Sequence, residues 1–214
     1  MLIFTVIFLY IDLSIDTKNR VLLLSDNPPK VTILNDTNSI ILDSIFNPTS
    51  LSTGIFSIWV ASSSENKIQK YSLRGEYLGS INFDVQDIDV DKNGLLVAGD
   101  YSFLIELSTG QEIPIIWRNT NLCAIGKKFI YLYGNDTLFV FERGSRSLKS
   151  KKNIPYLRDL SIYRDELVYL QKDSVFLEDT SFFIPESRRC DADDKSIWIL
   201  TDTVFPISLE PSNP

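Results

Sequence analysis

The sequence of 214 residues contains no histidine. This absence excludes a Ser-His-Asp or Cys-His nucleophile, an imidazole general base and histidine-ligated zinc, copper or iron. Cysteine is almost as scarce, because Cys123 and Cys190 are the only two. Two thiols so far apart in sequence make neither a disulfide framework nor a CxxC motif, so we expect both to be small buried residues.

Basic residues are in the minority, with 21 Lys and Arg against 28 Asp and Glu and a net charge of −7. Nucleic-acid binding requires a basic face, so we expect no nucleic-acid partner. Hydrophobic residues make up 44% of the chain and charged residues 23%, which is typical of a globular protein. The length favours a single domain over residues 1–214, and we expect a monomer.

The longest apolar run is the N-terminal MLIFTVIFLYI. It is shorter than the roughly 20 residues that span a bilayer, so no transmembrane span is expected. Residues 1–12 could be a signal peptide, although no basic residue precedes the run and no small-residue cleavage site follows it. The protein would then be exported or periplasmic, and otherwise cytoplasmic. A second interpretation, a β-strand, follows from the repeats.

Six copies of one pattern occur at a period of about 36 residues. Each copy has a strongly apolar strand, which we predict at 21–24, 58–61, 95–98, 129–132, 167–170 and 197–200. Each is preceded by an anchor residue, eight positions upstream in the first copy and seven in the others. The anchors are Leu13, Leu51, Ile88, Leu122, Leu160 and Cys190. Clusters of Asn, Asp and Gly before and after the apolar strands predict tight turns.

Third strands follow in all six copies, but a fourth strand follows in only five. The surplus apolar segment 2–8 precedes the first copy, and we predict that it is the outermost strand of the sixth. The fold class is therefore all-β, a β-propeller of six four-stranded blades closed by its N-terminal strand. Five blades or a β-sandwich remain the alternatives.

Two segments carry a family resemblance. Residues 87–100 (DIDVDKNGLLVAGD) resemble the D-x-x-G-x-(I/L)-x-V-x-D core of the six-bladed NHL and TolB-like propellers, and residues 58–77 resemble the second half of that repeat. The resemblance implies that the connections between blades and the hairpins after the second strands share one face at the central channel. Propeller lyases that depend on histidine are excluded by composition.

That face should carry a group of aromatic and basic side chains from the connections between blades: Trp117, Arg118, Tyr156, Arg158, Arg188 and Arg189. These residue types are enriched at binding hot spots. Such residues would recognise an acidic or aromatic partner. The alternative is structural, with the arginines neutralising acids in neighbouring hairpins at Asp100, Asp136, Asp173 and Asp202.

Carboxylates form the second candidate site. Asp89 and Asp191 follow the anchors of opposite blades, in a column completed by Ser14, Ser52, Cys123 and Ser161, and this column should face the channel. Similar propellers include Ca²⁺-dependent lactonases, whose metal is held by oxygen ligands. Structural turn acids are the alternative. The basic stretch 143–152 is expected to be a solvated edge strand or a peripheral docking patch.

We therefore expect a non-catalytic binding or scaffold protein that recognises a protein or peptide partner and needs no cofactor. The first alternative is a calcium-dependent hydrolase or lactonase that uses Asp89 and Asp191. The second is an exported envelope or sensor protein, which requires the signal-peptide interpretation. No nucleophile–base pair, phosphate loop or clustered metal ligands are visible in the sequence.

Overall fold

The computed structural model describes residues 10–34, 39–42, 45–116, 118–177, 180–193 and 195–209. These residues form 23 strands in six antiparallel sheets, arranged as the blades of a six-bladed β-propeller. The predicted all-β fold and the six blades are confirmed. Within the described ranges no helix has the length and apolar character needed to cross a membrane.

The first three blades each have four strands in meander order. Blade 1 contains β1 (Tyr10–Ile15), β2 (Val21–Asp26), β3 (Pro29–Ile33) and β4 (Ser39–Ile41). Blade 2 contains β5 (Ser50–Thr53), β6 (Ser57–Ser62), β7 (Lys67–Ser72) and β8 (Tyr77–Asn82). Blade 3 contains β9 (Asp87–Val90), β10 (Gly94–Ala98), β11 (Ser102–Glu106) and β12 (Glu112–Ile116).

The next two blades repeat this order, and the described part of the sixth has three strands. Blade 4 contains β13 (Leu122–Ile125), β14 (Phe129–Gly134), β15 (Thr137–Glu142) and β16 (Leu148–Asn153). Blade 5 contains β17 (Leu157–Tyr163), β18 (Glu166–Gln171), β19 (Ser174–Leu177) and β20 (Thr180–Phe183). Blade 6 contains β21 (Arg189–Ala192), β22 (Ser196–Leu200) and β23 (Val204–Ser208).

The second strand of each blade is apolar because both of its faces are covered by neighbouring blades. In β2, Leu22 and Leu24 pack against blade 2, whereas Leu23 faces the other way and packs against Leu200 of blade 6. Side chains point to alternate faces of a strand, so a sheet buried on both faces needs apolar residues at every position. Each fully buried leucine contributes about 1.5–3 kcal/mol.

The ring is closed by contacts between blades 1 and 6. Leu13, Val21 and Leu23 form one cluster with Leu200, and Trp198 packs against it. The Ile15 N–H also donates to the Asp191 carboxylate at 2.8 Å. The predicted closing strand, residues 2–8, lies outside the described residues.

Two glycines at the ends of second strands allow close packing, although the sequence predicted that they adopt turn conformations. A Cβ on Gly99 would lie 2.4 Å from the Asp84 carbonyl oxygen, and one on Gly134 would lie 2.3 Å from that of Asn119. Both glycines let a hairpin pack on the connection that enters its own blade. The left-handed conformation in the turn after Gly134 is adopted instead by Asn135 and Asp136, at φ 51° and 56°.

Candidate functional site

The innermost strands β1, β5, β9, β13, β17 and β21 surround a central channel and all run in the same direction. We call the two ends of the channel the upper and the lower mouth. The upper mouth, at the starts of these strands, is lined by Tyr10, Ile11, Arg158, Arg188 and Arg189. The lower mouth, at their ends, is lined by Asp91, Lys92, Ile125, Gly126, Lys127, Ile162, Arg164, Asp165, Ala192 and Asp193.

Three aspartates between the mouths join blade 1 to blade 2, blade 3 to blade 4 and blade 5 to blade 6. The Asp12 carboxylate accepts from the Leu51 N–H at 2.6 Å, and Asp87 accepts from the Cys123 N–H at 2.9 Å. Asp159 accepts from the Cys190 N–H at 2.7 Å. These three residues occupy the same position on alternate blades. The carboxylates therefore satisfy backbone donors that no sheet ladder reaches.

Asp89 and Asp191 form a second row further down the channel. Asp89 accepts from the Ile125 N–H at 2.8 Å and from the Ser52 hydroxyl at 3.1 Å. Asp191 accepts from the Ile15 N–H at 2.8 Å and from the Ser161 hydroxyl at 2.6 Å. Each also accepts the N–H of its own following residue. Both therefore line the channel, and each joins three successive blades.

The structure corrects the register of the fourth repeat by one residue. Because the Cys123 N–H donates to Asp87 as the Leu51 N–H donates to Asp12, Cys123 and not Leu122 is the anchor of blade 4. Ala124 therefore takes the column position that was predicted for Cys123. Every residue of β13 is buried, so its apolar pattern does not distinguish neighbouring positions.

Burial changes the acidity of these carboxyl groups. Desolvation raises the pKa of Asp89 to about 8, and the nearby charge of Asp191 contributes, while hydrogen bonds partly offset the shift. Desolvation likewise raises the pKa of Asp12 to about 7, against the opposing charge of Arg189. The pKa values of Asp87, Asp159 and Asp191 are also raised, mainly by burial.

Arg189 is the cation that faces this acidic channel. Its Nε lies 3.4 Å from Asp12 Oδ1, and its guanidinium donates to the Arg158 carbonyl at 2.9 Å. Burial disfavours its charge, but Asp159, Asp12 and Asp87 outweigh that effect and raise the pKa of Arg189 above its ordinary value. The upper end of the channel is thus closed by an ion pair.

The cavity between the mouths is small. It encloses about 40 Å³ and is lined by all five channel aspartates together with their serine and backbone donors. That volume holds about three water molecules. Among the described residues no group of three or more acidic or thiol side chains is placed to hold a metal ion. The arrangement can relay protons or hold water, but it does not admit an organic substrate.

The upper mouth is a recess of about 480 Å³ that brings together three of the predicted arginines with Tyr10. Arg158 Nη1 lies 3.5 Å from Asp173 Oδ1, and Arg188 forms an ion pair with Asp202. Both acids belong to the hairpins whose acids were expected to neutralise the arginines if those arginines had a structural role. The arginines are therefore paired, yet they still line an open recess.

The other predicted residues lie away from this recess. Tyr156 is 66% exposed, and the Lys172 ammonium sits 5.0 Å from the centre of its ring. The Arg118 guanidinium lies 5.9 Å from the Phe139 ring. Trp117 lies outside the described residues. Of the five predicted residues that the structure describes, Arg158, Arg188 and Arg189 share one pocket.

The basic stretch 143–152 divides into two parts. Residues Leu148–Asn153 form β16, an outer strand whose every residue is exposed, as predicted for a solvated edge. Arg143 instead makes a two-pronged contact across the blade boundary, with Nη1 at 2.5 Å and Nη2 at 3.0 Å from the two oxygens of Asp91. This residue joins blades 3 and 4 and is no part of a docking patch.

Sequence reasoning missed the upper row of channel acids and Tyr10. Asp12, Asp87 and Asp159 each stand one position before an anchor, so an aligned column was available as a signal. Their hydrogen-bond partners could not be identified from the sequence. A carboxylate that accepts a backbone N–H from the next blade requires no particular side chain in that blade. Tyr10 belongs to the apolar N-terminal run, which obscured its place beside the arginines.

The fold and the channel define a six-bladed β-propeller with aspartates joining its blades. No protein-family model matches the sequence, and no curated protein matches it by sequence. Several solved structures are similar to this chain in fold.

Virginiamycin B lyase from Staphylococcus aureus is 12% identical, with a TM-score of 0.67, over 92% of this chain and 79% of that one. A streptogramin B lyase is 11% identical, with a TM-score of 0.65, over 91% and 78%. Hydrazine synthase from Kuenenia stuttgartiensis is 9% identical, with a TM-score of 0.65, over 93% and 76%. At these identities the likeness establishes the fold alone.

Proposed function

We propose that this propeller is a non-catalytic binding protein that recognises a protein or peptide partner at its upper mouth. The observation that carries the proposal is the convergence of Arg158, Arg188 and Arg189 around one recess beside Tyr10. Planar guanidinium groups bind carboxylates through paired hydrogen bonds, and aromatic rings add buried area. The partner would present acidic side chains next to an apolar or aromatic one.

The existing ion pairs do not prevent this role. The side chains of Arg158 and Asp173 are 46% and 42% exposed, and Asp202 is 71% exposed beside Arg188. Exposed ion pairs contribute about 0–1 kcal/mol, so a partner carboxylate can replace Asp173 or Asp202 at little cost. Before binding, the same pairs hold the guanidinium groups in position, which limits the side-chain entropy lost on binding.

The size of the channel cavity supports binding over catalysis. A space of about 40 Å³ is well below the roughly 300 Å³ of the smallest common ligand pockets. The raised pKa values of the channel acids follow from desolvation, and their oxygens accept hydrogen bonds that hold blades together. Structural ion and hydrogen-bond networks perturb pKa values without any catalytic role.

Peptide selection tests the proposal directly. A displayed library of random peptides would be selected on the wild-type protein and counter-selected on an Arg158→Gln/Arg188→Gln variant. We expect enriched peptides that contain Asp or Glu beside an aromatic residue and that lose about tenfold or more in affinity for the variant. Arg74→Gln, which removes an exposed arginine of blade 2, serves as the control. Peptides that bind wild type and variant equally would refute the proposed surface.

The calcium-dependent alternative rests on a single favourable observation, namely that Asp89 and Asp191 line one cavity. Calorimetry with CaCl₂ tests it. Because backbone and serine donors already engage both carboxylates, we expect no saturable binding in the micromolar range. Micromolar binding that disappears in an Asp89→Asn variant would favour the hydrolase or lactonase.

A further inference from the structure

We propose that the lower mouth is a second, independent binding site, for a small organic anion that carries an apolar group. It is a recess of about 550 Å³, built by the hairpins of blades 3 to 6 at the opposite end of the channel from the arginine recess. Known small-molecule sites occupy roughly 300–1,000 Å³ and combine an apolar floor with a few polar groups. The lower mouth has both.

Three cations stand around this recess. Lys92 and Lys127 are exposed, and within the described part of the chain neither ammonium pairs with a carboxylate. Arg164 is held over the ring of Tyr163, 5.0 Å from its centroid. No acid among the described residues neutralises the charge of Lys92 or Lys127 at this recess. The two lysines leave positive charge available to a ligand.

The acids of the recess are, by contrast, already engaged by the protein. Asp91 accepts both nitrogens of the Arg143 guanidinium and the N–H groups of Asn93 and Gly94. Burial alone would raise the pKa of Asp91, but these hydrogen bonds and the charge of Arg143 keep it below the ordinary value. Its charge is therefore neutralised within the fold.

The other two acids accept hydrogen bonds from uncharged donors. Asp165 accepts the Lys127 N–H at 2.8 Å. Asp193 accepts the Lys195 and Ser196 N–H groups at 2.7 and 2.8 Å, and its second oxygen accepts the Trp198 indole N–H at 2.9 Å. Asp194, the next residue, lies outside the described residues. Each described acid thus accepts at least one hydrogen bond from the protein, whereas Lys92 and Lys127 have no acid partner among the described residues.

The floor of the recess is apolar. It is formed by Ile125, Ile162 and Ala192, at the ends of three inner strands. Gly126 packs closely beside this floor, because a Cβ there would come 3.1 Å from the Asp165 carboxylate. An apolar group on this floor would place an attached carboxylate or phosphate at the level of the lysines.

The backbone of the rim has a positive φ where it presents Arg164. Arg164 and Asp165 form a two-residue hairpin turn with φ values of 50° and 72°. Asn, Asp and Gly suit this conformation, whereas arginine is disfavoured there. Strained backbone tends to occur at functional sites, where a particular side chain is needed in spite of its cost. An arginine at the rim of an anion site is such a side chain.

Calorimetry with phenyl phosphate as the probe tests this proposal. We expect one saturable site on the wild-type protein, weaker binding of inorganic phosphate and no binding of benzyl alcohol. A Lys92→Gln/Lys127→Gln variant should raise the Kd about tenfold or more, because it removes two charge-assisted contacts. Both lysines are exposed, so the thermal unfolding of this variant should match that of the wild type.

The matched control is Lys151→Gln/Lys152→Gln, which removes the same charge from the exposed strand β16. It should leave the Kd unchanged. No saturable binding to the wild type, or an equal loss in both double variants, would overturn the site, the latter because it would show a general effect of net charge. Neither result bears on peptide binding at the upper mouth.

Discussion

The two mouths of the channel carry the same kinds of charged residue in opposite arrangements. At the upper mouth Arg158 and Arg188 form ion pairs with hairpin acids that are themselves exposed. At the lower mouth Asp91 and Asp193 are engaged by buried or backbone donors, and the lysines beside them have no described acid partner. Charge content therefore does not determine what a surface can bind. What matters is which sign is already neutralised by the fold.

This difference assigns the mouths to different ligands. The upper recess holds guanidinium groups that exchange one carboxylate for another, which suits a partner able to supply several contacts at once. The lower recess offers Lys92 and Lys127, which have no described acid partner, above an apolar floor, and this arrangement suits a small anion. The channel between them keeps the two sites separate, because its acids and Arg189 leave only a small cavity.

The largest expected effect comes from the channel itself. Asp87→Ala leaves the Cys123 N–H and the Ser50 hydroxyl without their acceptor. We expect a loss of about 2–4 kcal/mol in the free energy of unfolding, since each orphaned buried donor costs about 1–3 kcal/mol. Urea denaturation measures it, with Asp100→Ala on the surface of the same blade as control. Equal stability of the two variants would show that the carboxylate does not hold blades 3 and 4 together.

The channel should also dominate the pH dependence of stability. Asp89 and Asp12 have folded pKa values of about 8 and about 7, above the value of 3.8 expected when unfolded. Between these limits the folded protein binds more protons, so the free energy of unfolding falls as the pH rises from about 4 to about 8.

We expect the protein to be more stable at pH 5 than at pH 8.5 by at least about 1 kcal/mol, measured by urea denaturation at both values. An Asp89→Asn variant, which mimics the protonated acid, should show a smaller difference. Stability that increases over this range would mean that the hydrogen-bond donors, together with Arg189, keep these carboxylates ionised in the folded state.

Removing one acid charge at each mouth sharpens the contrast between them. Asp91→Asn breaks the two-pronged contact with the partly buried Arg143, so we expect a loss of about 1–2 kcal/mol. Asp202→Asn removes an exposed partner of Arg188 and should leave the denaturation midpoint unchanged within error. Similar losses in both variants would remove the distinction between engaged and exposed acids.

The smallest effect is expected at the rim of the lower mouth. Arg164→Asn places a residue that favours positive φ in the strained turn, and should stabilise the fold by about 1 kcal/mol while weakening phenyl phosphate binding. Arg146→Asn is the matched control, because Arg146 also has a positive φ, of 58°, but lies outside the recess. It should stabilise the fold similarly and leave binding unchanged.

The architecture could be predicted from the sequence because each blade of a propeller repeats the same pattern of strands and turns. All six predicted apolar strands lie within β2, β6, β10, β14, β18 and β22. Because both faces of a blade are buried, the second strand is apolar at every position. This apolar run recurs at a fixed spacing along the sequence and can be recognised without the structure. The predicted register is wrong by one residue in blade 4. Leu122 and Cys123 are both buried, so burial does not distinguish which of them is the anchor.

The sites were less predictable because they depend on contacts between blades. The sequence placed Arg158, Arg188 and Arg189 on one face by assigning each to a connection between blades, although Arg158 and Arg189 lie at the starts of β17 and β21. It could not show that Arg143 reaches Asp91 across 52 positions, or that the acids of the lower mouth are engaged. Those contacts follow from how one blade is rotated against the next, which no local pattern records.

One measurement tests the contrast between the mouths most directly. Phenyl phosphate would be titrated into ¹⁵N-labelled protein, and the amide shifts of Gly126, Lys127 and Arg164 compared with those of Arg158 and Arg188. The account predicts saturable shifts at the lower mouth and unchanged signals at the upper one. Saturable shifts centred on Arg158 and Arg188, with Gly126, Lys127 and Arg164 unaffected, would contradict it.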